Sequence, residues 1–308
     1  MKYNPEKLLI LLYHGVTDVV SNGIENYSRK HLDFKLFQNQ MRLLKSKYNV
    51  ISMDDVFYMK RNNLKFPKRS VAITFDDGFE NNYSIAAPIL DKFKVPATFY
   101  ICANIVNSET MFWVDKIEDC INRTKTKQII ISLGGRKKIF KLDTYKKKIK
   151  CVEIIKNYCK KIKVKQKDRI INDLINRTFV LPKITTSKNY EKLKWNQVKK
   201  MYKNSLFTIG SHSLNHEILS MQNKEQMKKD VSKSLQIFNK KLNTEIRHFS
   251  YPEGQKNHYN EYIIKFLKKS GILICPSAVI GQNSRQIDLF NLRRCMIGFK
   301  KNKIKNFF

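Results

Sequence analysis

Seven short apolar runs recur along this 308-residue chain, at 8–13, 50–52, 71–75, 97–102, 206–209, 248–251 and 272–275, and each is too brief for a helix. Between many of them the apolar residues fall three and four apart. Phe34, Phe37, Met41 and Leu44 share one helical face, and Met227, Val231, Leu235 and Phe238 line another over 224–242. Strand then helix, repeated, predicts parallel strands joined by helical crossovers. The fold class is α/β, and about seven such units predict a distorted (β/α) barrel of parallel strands, whose chemistry sits where strands end and loops begin.

The stretch 103–190 breaks this rhythm. It carries Phe112-Trp113, a hairpin centred on Gly134-Gly135 and lysine-rich helical segments over 143–178. We read it as a helical and hairpin insertion, forming a lid or wall of the site, within a single catalytic domain spanning 1–308. No repeat of fixed period and no low-complexity linker divides the chain.

With 42% hydrophobic residues the chain can bury a large core, which excludes a disordered protein. Its 60 Lys+Arg against 26 Asp+Glu give +34, a long-range attraction for polyanions and anionic membranes. The cations are mostly lysines spread among Asn and Ile, and no zinc finger, RNP motif or arginine-rich arm accompanies them, so specific nucleic-acid binding is not expected. The run 8–13 is too short for a signal-peptide core and no small-residue cleavage site follows it. No stretch reaches the ~18 apolar residues of a membrane span. These features predict a cytoplasmic protein, with peripheral contact to an anionic membrane or a lipid-linked substrate as a further expectation. Six cysteines without a C-x-x-C pair predict reduced structural thiols.

Four clusters carry chemistry, each at the end of an apolar run. In Thr74-Phe75-Asp76-Asp77-Gly78 a turn opened by glycine lets adjacent carboxylates serve one cavity, one holding a metal while the other takes a proton; Asp-Asp-Gly is also ordinary turn chemistry. In Ser211-His212-Ser213-Leu214-Asn215-His216 two histidines four apart can face one point if the second lies on the first turn of a helix. Asp77, His212 and His216 then form a three-ligand set with an open water position, the pattern of a catalytic zinc. Phe249-Ser250-Tyr251-Pro252-Glu253-Gly254 has a shape set by proline and glycine and can aim a backbone N–H at an oxyanion. Tyr13-His14-Gly15 offers a histidine as general acid, against the alternative of a satisfied core histidine.

Together and in this order, these segments resemble the polysaccharide deacetylase family, the NodB-homology enzymes of carbohydrate esterase family 4. The resemblance implies a distorted (β/α) barrel and metal-dependent removal of N-acetyl groups from an amino sugar in a glycan or glycan precursor. Carried over by position, Asp76 resembles the catalytic base, and Asp77, His212 and His216 the metal triad, with a divalent ion, Zn²⁺ foremost, as cofactor. Tyr13-His14 is similar to the permuted form, found among deacetylases of poly-N-acetylglucosamine, that supplies the general acid from the first strand. Tyr251, Pro252, Glu253 and Gly254 correspond to the oxyanion and substrate loop. Two departures stand out: Ser250 replaces the family's base-steadying arginine, for which Arg294 is a candidate substitute, and Glu253 replaces an aromatic residue. Trp113 and Trp195 are candidates for stacking on sugar faces. The competing readings are an O-acetyl esterase or other amidohydrolase on the same metal, and a basic polyanion-binding protein without catalysis.

Overall fold

The computed structural model describes residues 3–298. Its strands in chain order are β1 (Leu9–Tyr13), β2 (Gly15–Thr17), β3 (His31–Asp33), β4 (Asn49–Val50), β5 (Ser70–Phe75), β6 (Ala97–Ile101), β7 (Gln128–Leu133), β8 (Arg136–Lys141), β9 (Phe207–Ser211) and β10 (Cys295–Met296). The chain divides into two compact units. The first runs up to Asp18, resumes over Ser28–Ser108 and again from Lys192; the second comprises Val19–Tyr27 and Glu109–Glu191.

In the first unit β1, β5, β6 and β9 are consecutive parallel neighbours, registered Leu9↔Val71 through Tyr13↔Phe75, Thr74↔Thr98, and Ala97↔Phe207 through Ile101↔Ser211. These runs are buried on both faces, as parallel strands covered by helices must be. Parallel bridges Ser211↔Phe249, His248↔Ile274 and Ile280↔Arg294 continue the ring, and β10 returns it to β1 at Leu11↔Cys295. The result is a closed, distorted barrel of seven staves. The segments expected as strands at 248–251 and 272–275 contribute single bridges, because their N–H groups are shared among several partners: Phe249 to Ile274, Ser250 to Ser211, Leu273 to Arg247 and Cys275 to Leu289. The strand expected at 50–52 is only Asn49–Val50. Ser52 leaves the ladder to cap the helix Met53–Arg61, in a reciprocal capping box with Asp55.

Alternation along the staves sorts their side chains. Tyr13, Phe75 and Phe99 face the surrounding helices and stack in a row, with ring centroids 5.3 Å and 4.9 Å apart, and Phe37 and Phe207 meet them edge-on. The opposite parity points into the barrel. Its lower layer is apolar, Leu8, Ile10, Ala72 and Ile274 packing on Met53 and Val56 of the helix Met53–Arg61. Its upper layer is polar: Thr74, Thr98, Arg294 and the phenol Tyr100, all buried. The barrel interior thus turns polar toward the ends of its strands.

The second unit has its own core, formed by the helices Trp113–Arg123, Tyr145–Cys159 and Val164–Thr178 against the hairpin β7–β8. The hairpin turns at Gly134 and Gly135, whose φ angles of +64° and +79° suit a two-residue turn matched to strand twist. Trp113 is buried in this core. All six cysteines are buried and free of disulfides.

Phe75 is fully buried and touches three aromatic rings. Phe75→Ala should lower the unfolding free energy by about 3–5 kcal/mol, read from a shifted denaturant midpoint at unchanged slope.

Candidate active site

The site is built on the ends of β5, β9 and the stave through Phe249. The Asp76 N–H donates to Tyr13 O at 3.0 Å, extending the ladder by one residue, so Asp76 points inward like Thr74 two residues before it. Asp77 should face outward by the same alternation. Its φ of +80° turns it back, and Gly78 follows at +87°, where a Cβ would lie 2.6 Å from Ile101 Cγ2. A non-glycine residue held there stores roughly 1–3 kcal/mol of backbone strain. Ser213 (+70°), His216 (+60°) and Glu253 (+60°) share that left-handed region, as do eight non-glycine residues elsewhere among the described residues.

His212 continues β9, its N–H donating to Ile101 O at 2.9 Å. Its Nδ1 lies 2.8 Å from Ser250 O; a carbonyl only accepts, so Nδ1 carries the proton and Nε2 is left as a ligand atom. His216 does not lie on a helix turn, as its spacing suggested. It sits in a loop, its N–H donating to Ser213 Oγ at 3.0 Å, while the Leu214 N–H donates to the buried carboxylate of Asp230 at 2.8 Å. Side chains of the loop and of the helix Lys224–Leu242 supply the acceptors that a helix would have found in its own backbone.

Asp77 Oδ1 is 3.2 Å from His216 Nε2 and 3.6 Å from His212 Nε2, and the ligand atoms of these three buried residues lie within 4.8 Å of one another. One carboxylate oxygen and two imidazole nitrogens converging in this way fit a divalent transition ion such as zinc. Burial pushes the Asp77 carboxyl upward, but the charges and hydrogen bond of the histidines outweigh it and hold its pKa well below the usual range. Burial lowers His212 to about 4, so this imidazole is neutral near pH 7, as a ligand must be. On His216 burial acts in the same sense, but Asp77 overcomes it and the net shift is upward.

Arg294 is fully buried and grips Asp76 with both ends of its fork: Nη1 to Oδ1 at 2.8 Å and Nη2 to Oδ2 at 2.7 Å. Its remaining N–H groups reach Thr74 Oγ1 (3.2 Å), Ser250 Oγ (2.8 Å) and Ser277 O (2.7 Å), which satisfies all five donors. Burial raises the Asp76 pKa, but Arg294 first and His212 next bring the net value below the ordinary one. Ser250 connects the two halves of the site: its hydroxyl binds Arg294 and its carbonyl fixes His212.

His14 follows β1 at the same barrel end, its carbonyl accepting from Asn82 Nδ2 at 2.7 Å. Burial lowers its pKa, against the opposing charges of Asp77 and Asp76. The Tyr251 side chain is turned away into the core, its hydroxyl donating to Phe290 O at 3.1 Å and its ring stacked on Tyr259 at 4.0 Å, and its backbone N–H faces the buried Cys275 thiol. In the same loop Pro252 has no N–H, and Gly254 N–H is spent on Pro252 O at 2.7 Å; a Cβ at Gly254 would meet Ala278 N at 2.6 Å. Trp195 packs on Phe238 at 5.4 Å and Trp113 in the second unit's core, which accounts for both indoles as packing residues. Ser277 and Asp230 were not singled out from the sequence, and Thr74 and Ser213, which lie inside two of the clusters, were given no role there.

A closed (β/α) barrel that gathers an Asp-His-His set able to hold a metal ion, beside a clamped carboxylate, at its strand ends is the class of fold and site these residues define. The family model for polysaccharide deacetylase matches residues 63–135 and 160–274, and the chain belongs to that family. It is 36% identical over 129 residues, 38% of this chain and 43% of the relative, to a poly-beta-1,6-N-acetyl-D-glucosamine N-deacetylase of Staphylococcus aureus, and 34% identical over 119 residues to the protein of that name from Staphylococcus epidermidis. The matched region thus spans less than half the length of these curated relatives. In fold it is similar to the deacetylase PplD of Streptococcus pyogenes solved with acetate (TM-score 0.61, 18% identity, 96% of this chain and 93% of that one). IcaB from Ammonifex degensii gives TM-score 0.61 at 15% identity, over 96% and 94% of the two chains.

Arg294→Met leaves Asp76 buried without its partner and should cost about 3–5 kcal/mol at pH 7 in chelator-treated protein. The folded Asp76 pKa lies below its unfolded value, so the pair's contribution is complete above the unfolded pKa of ~4 and is lost as pH falls through the folded one. Urea melts from pH 7 to pH 3 should show the gap between wild type and variant shrinking in acid.

Proposed function

We propose that this protein is a metal-dependent deacetylase that hydrolyses N-acetyl groups of an amino-sugar polymer, releasing acetate and a free amine. The observation that carries this reading is the convergence of Asp77, His212 and His216 beside a separate carboxylate, Asp76, held by Arg294. A divalent ion held by Asp77 and the Nε2 atoms of the two histidines would supply Lewis acidity, lowering the pKa of water and polarising the acetyl carbonyl. Asp76 would take the proton of the attacking water. Arg294 keeps that carboxylate ionised beforehand and fixes the direction of its oxygens, so no reorientation is needed during the step. A backbone N–H of the loop from Tyr251 to Gly254, Glu253 foremost, would stabilise the developing oxyanion. His14 would pass a proton to the departing nitrogen.

The staphylococcal relatives, by their names, support a β-1,6-linked N-acetylglucosamine polymer as the substrate class. Membership of the polysaccharide deacetylase family favours hydrolysis over a purely polyanion-binding role.

Asp76→Asn should slow acetate release from N-acetylglucosamine oligomers by roughly 10²–10⁴-fold with bound metal unchanged, whereas His212→Ala should lose metal and activity together. Elemental analysis alongside an acetate assay reads both. A His212→Ala protein that keeps a full complement of metal contradicts the ligand assignment. An amine is a poorer leaving group than an alcohol, so His14→Asn should depress N-acetyl turnover far more than hydrolysis of an O-acetyl ester. Equal losses would remove His14 from its role as acid.

A further inference from the structure

The turn that carries His14 is held from outside its own strand. A Cβ at Gly15 would lie 2.0 Å from His31 Nδ1 and 2.9 Å from Asn81 Oδ1, so glycine is what lets the turn close against these two side chains. Asn81 Oδ1 accepts from the Val16 N–H at 3.4 Å, which fixes the orientation of the amide and leaves its Nδ2 to donate to His31 Nδ1 at 3.0 Å. Asn82 Nδ2 donates to the carbonyl of His14 itself at 2.7 Å. Both asparagines follow closely on Asp76, Asp77 and Gly78. The segment that supplies the proposed base and one candidate metal ligand therefore also grips the backbone on either side of Gly15.

Of the two, Asn82 is the less easily explained by packing. It is fully buried and opens the π-helical turn Asn82–Ala86, a wide geometry that is rare and occurs frequently at functional sites. Its Oδ1 is buried without a hydrogen-bond partner among the described residues. An orphaned buried oxygen lowers stability, so an apolar side chain of the same size would serve packing alone better. What the amide adds is the N–H that reaches His14 O, and turning it over would set two acceptors face to face. We propose that Asn82 is a positioning residue for protonation of the leaving nitrogen: by tying down the His14 carbonyl it fixes the direction in which the imidazole leaves the end of β1. The inference rests on the reading of His14 as the acid. A general acid must meet its acceptor at about 3 Å, and a misplacement of ~1 Å can cost on the order of 10²-fold in rate. The Asp77, His212 and His216 set and the Asp76–Arg294 pair are held by other bonds, so loss of this one falls on the step in which the amine departs.

The test compares acetate release from N-acetylglucosamine oligomers with hydrolysis of an O-acetyl ester by wild type, Asn82→Leu, His14→Asn and the double variant, with metal content and denaturant midpoint measured for each. Asn82→Leu keeps the volume and exchanges one orphaned buried oxygen for another, so its midpoint should move little. Asn82→Ala repeats the measurement with a side chain that fits whatever the local packing. In either variant the N-acetyl rate should fall about tenfold to a hundredfold with metal content unchanged. The O-acetyl rate should change by less than about twofold, because an alcohol leaves with little help from an acid. Asn82→Leu added to His14→Asn should cost nothing further. A merely structural role would lower both rates together. If His14→Asn is selective for the N-acetyl substrate while the Asn82 variants are not, or if the two losses multiply in the double variant, the positioning role is overturned and the acid assignment stands. If His14→Asn shows no such selectivity, the acid assignment falls and this inference falls with it.

Discussion

The buried pairing of Arg294 with Asp76 is the interaction on which the rest of the site depends. The two residues lie 218 positions apart in the chain, and both bonds of the fork are 2.8 Å or shorter. A guanidinium taken out of water is tolerated only when every donor is met, and the other acceptors are Thr74, on the stave that Asp76 extends, and Ser250 and Ser277 from two further segments. β10, two residues long, completes the ring between β1 and the stave at Ile280.

From that pair the arrangement spreads through Ser250. Its hydroxyl touches the clamp and its carbonyl sets the tautomer of His212, so the carboxylate proposed as base and the proposed metal ligand are positioned by one residue. The left-handed residues Asp77, Ser213, His216 and Glu253 are the expense of this convergence. Each departs from the backbone that its strand or loop would otherwise adopt, and each lies at a strand end where helices and neighbouring staves hold it. Stability is lowered locally to aim ligands, and the aromatic row of Tyr13, Phe75 and Phe99 compensates from outside the barrel.

Much of this was legible in the sequence. Short buried runs alternating with helical periodicity predicted the parallel barrel, since a strand covered on both faces must be apolar throughout. The Asp-Asp-Gly and His-x-x-x-His segments, each just after such a run, marked Asp76, Asp77, His212 and His216, and Arg294 was reachable as a substitute once Ser250 was seen in the arginine's place. Other features were hidden because they depend on long-range bonds. The helix turn expected at His216 gives way to a loop because Ser213 and Asp230 supply its acceptors. The strands at 248–251 and 272–275 shrink to bridges because their N–H groups divide among several neighbours. The burial of Trp113 and the partial burial of Trp195 follow from packing that composition does not encode.

X-ray absorption at the zinc edge of the metal-loaded protein tests the central claim most directly. The account predicts a four- or five-coordinate shell of nitrogen and oxygen only, at about 2.0–2.2 Å, with the scattering signature of two imidazoles, and loss of one imidazole in His216→Ala. A shell containing sulfur, or one whose imidazole count does not change in that variant, would contradict it.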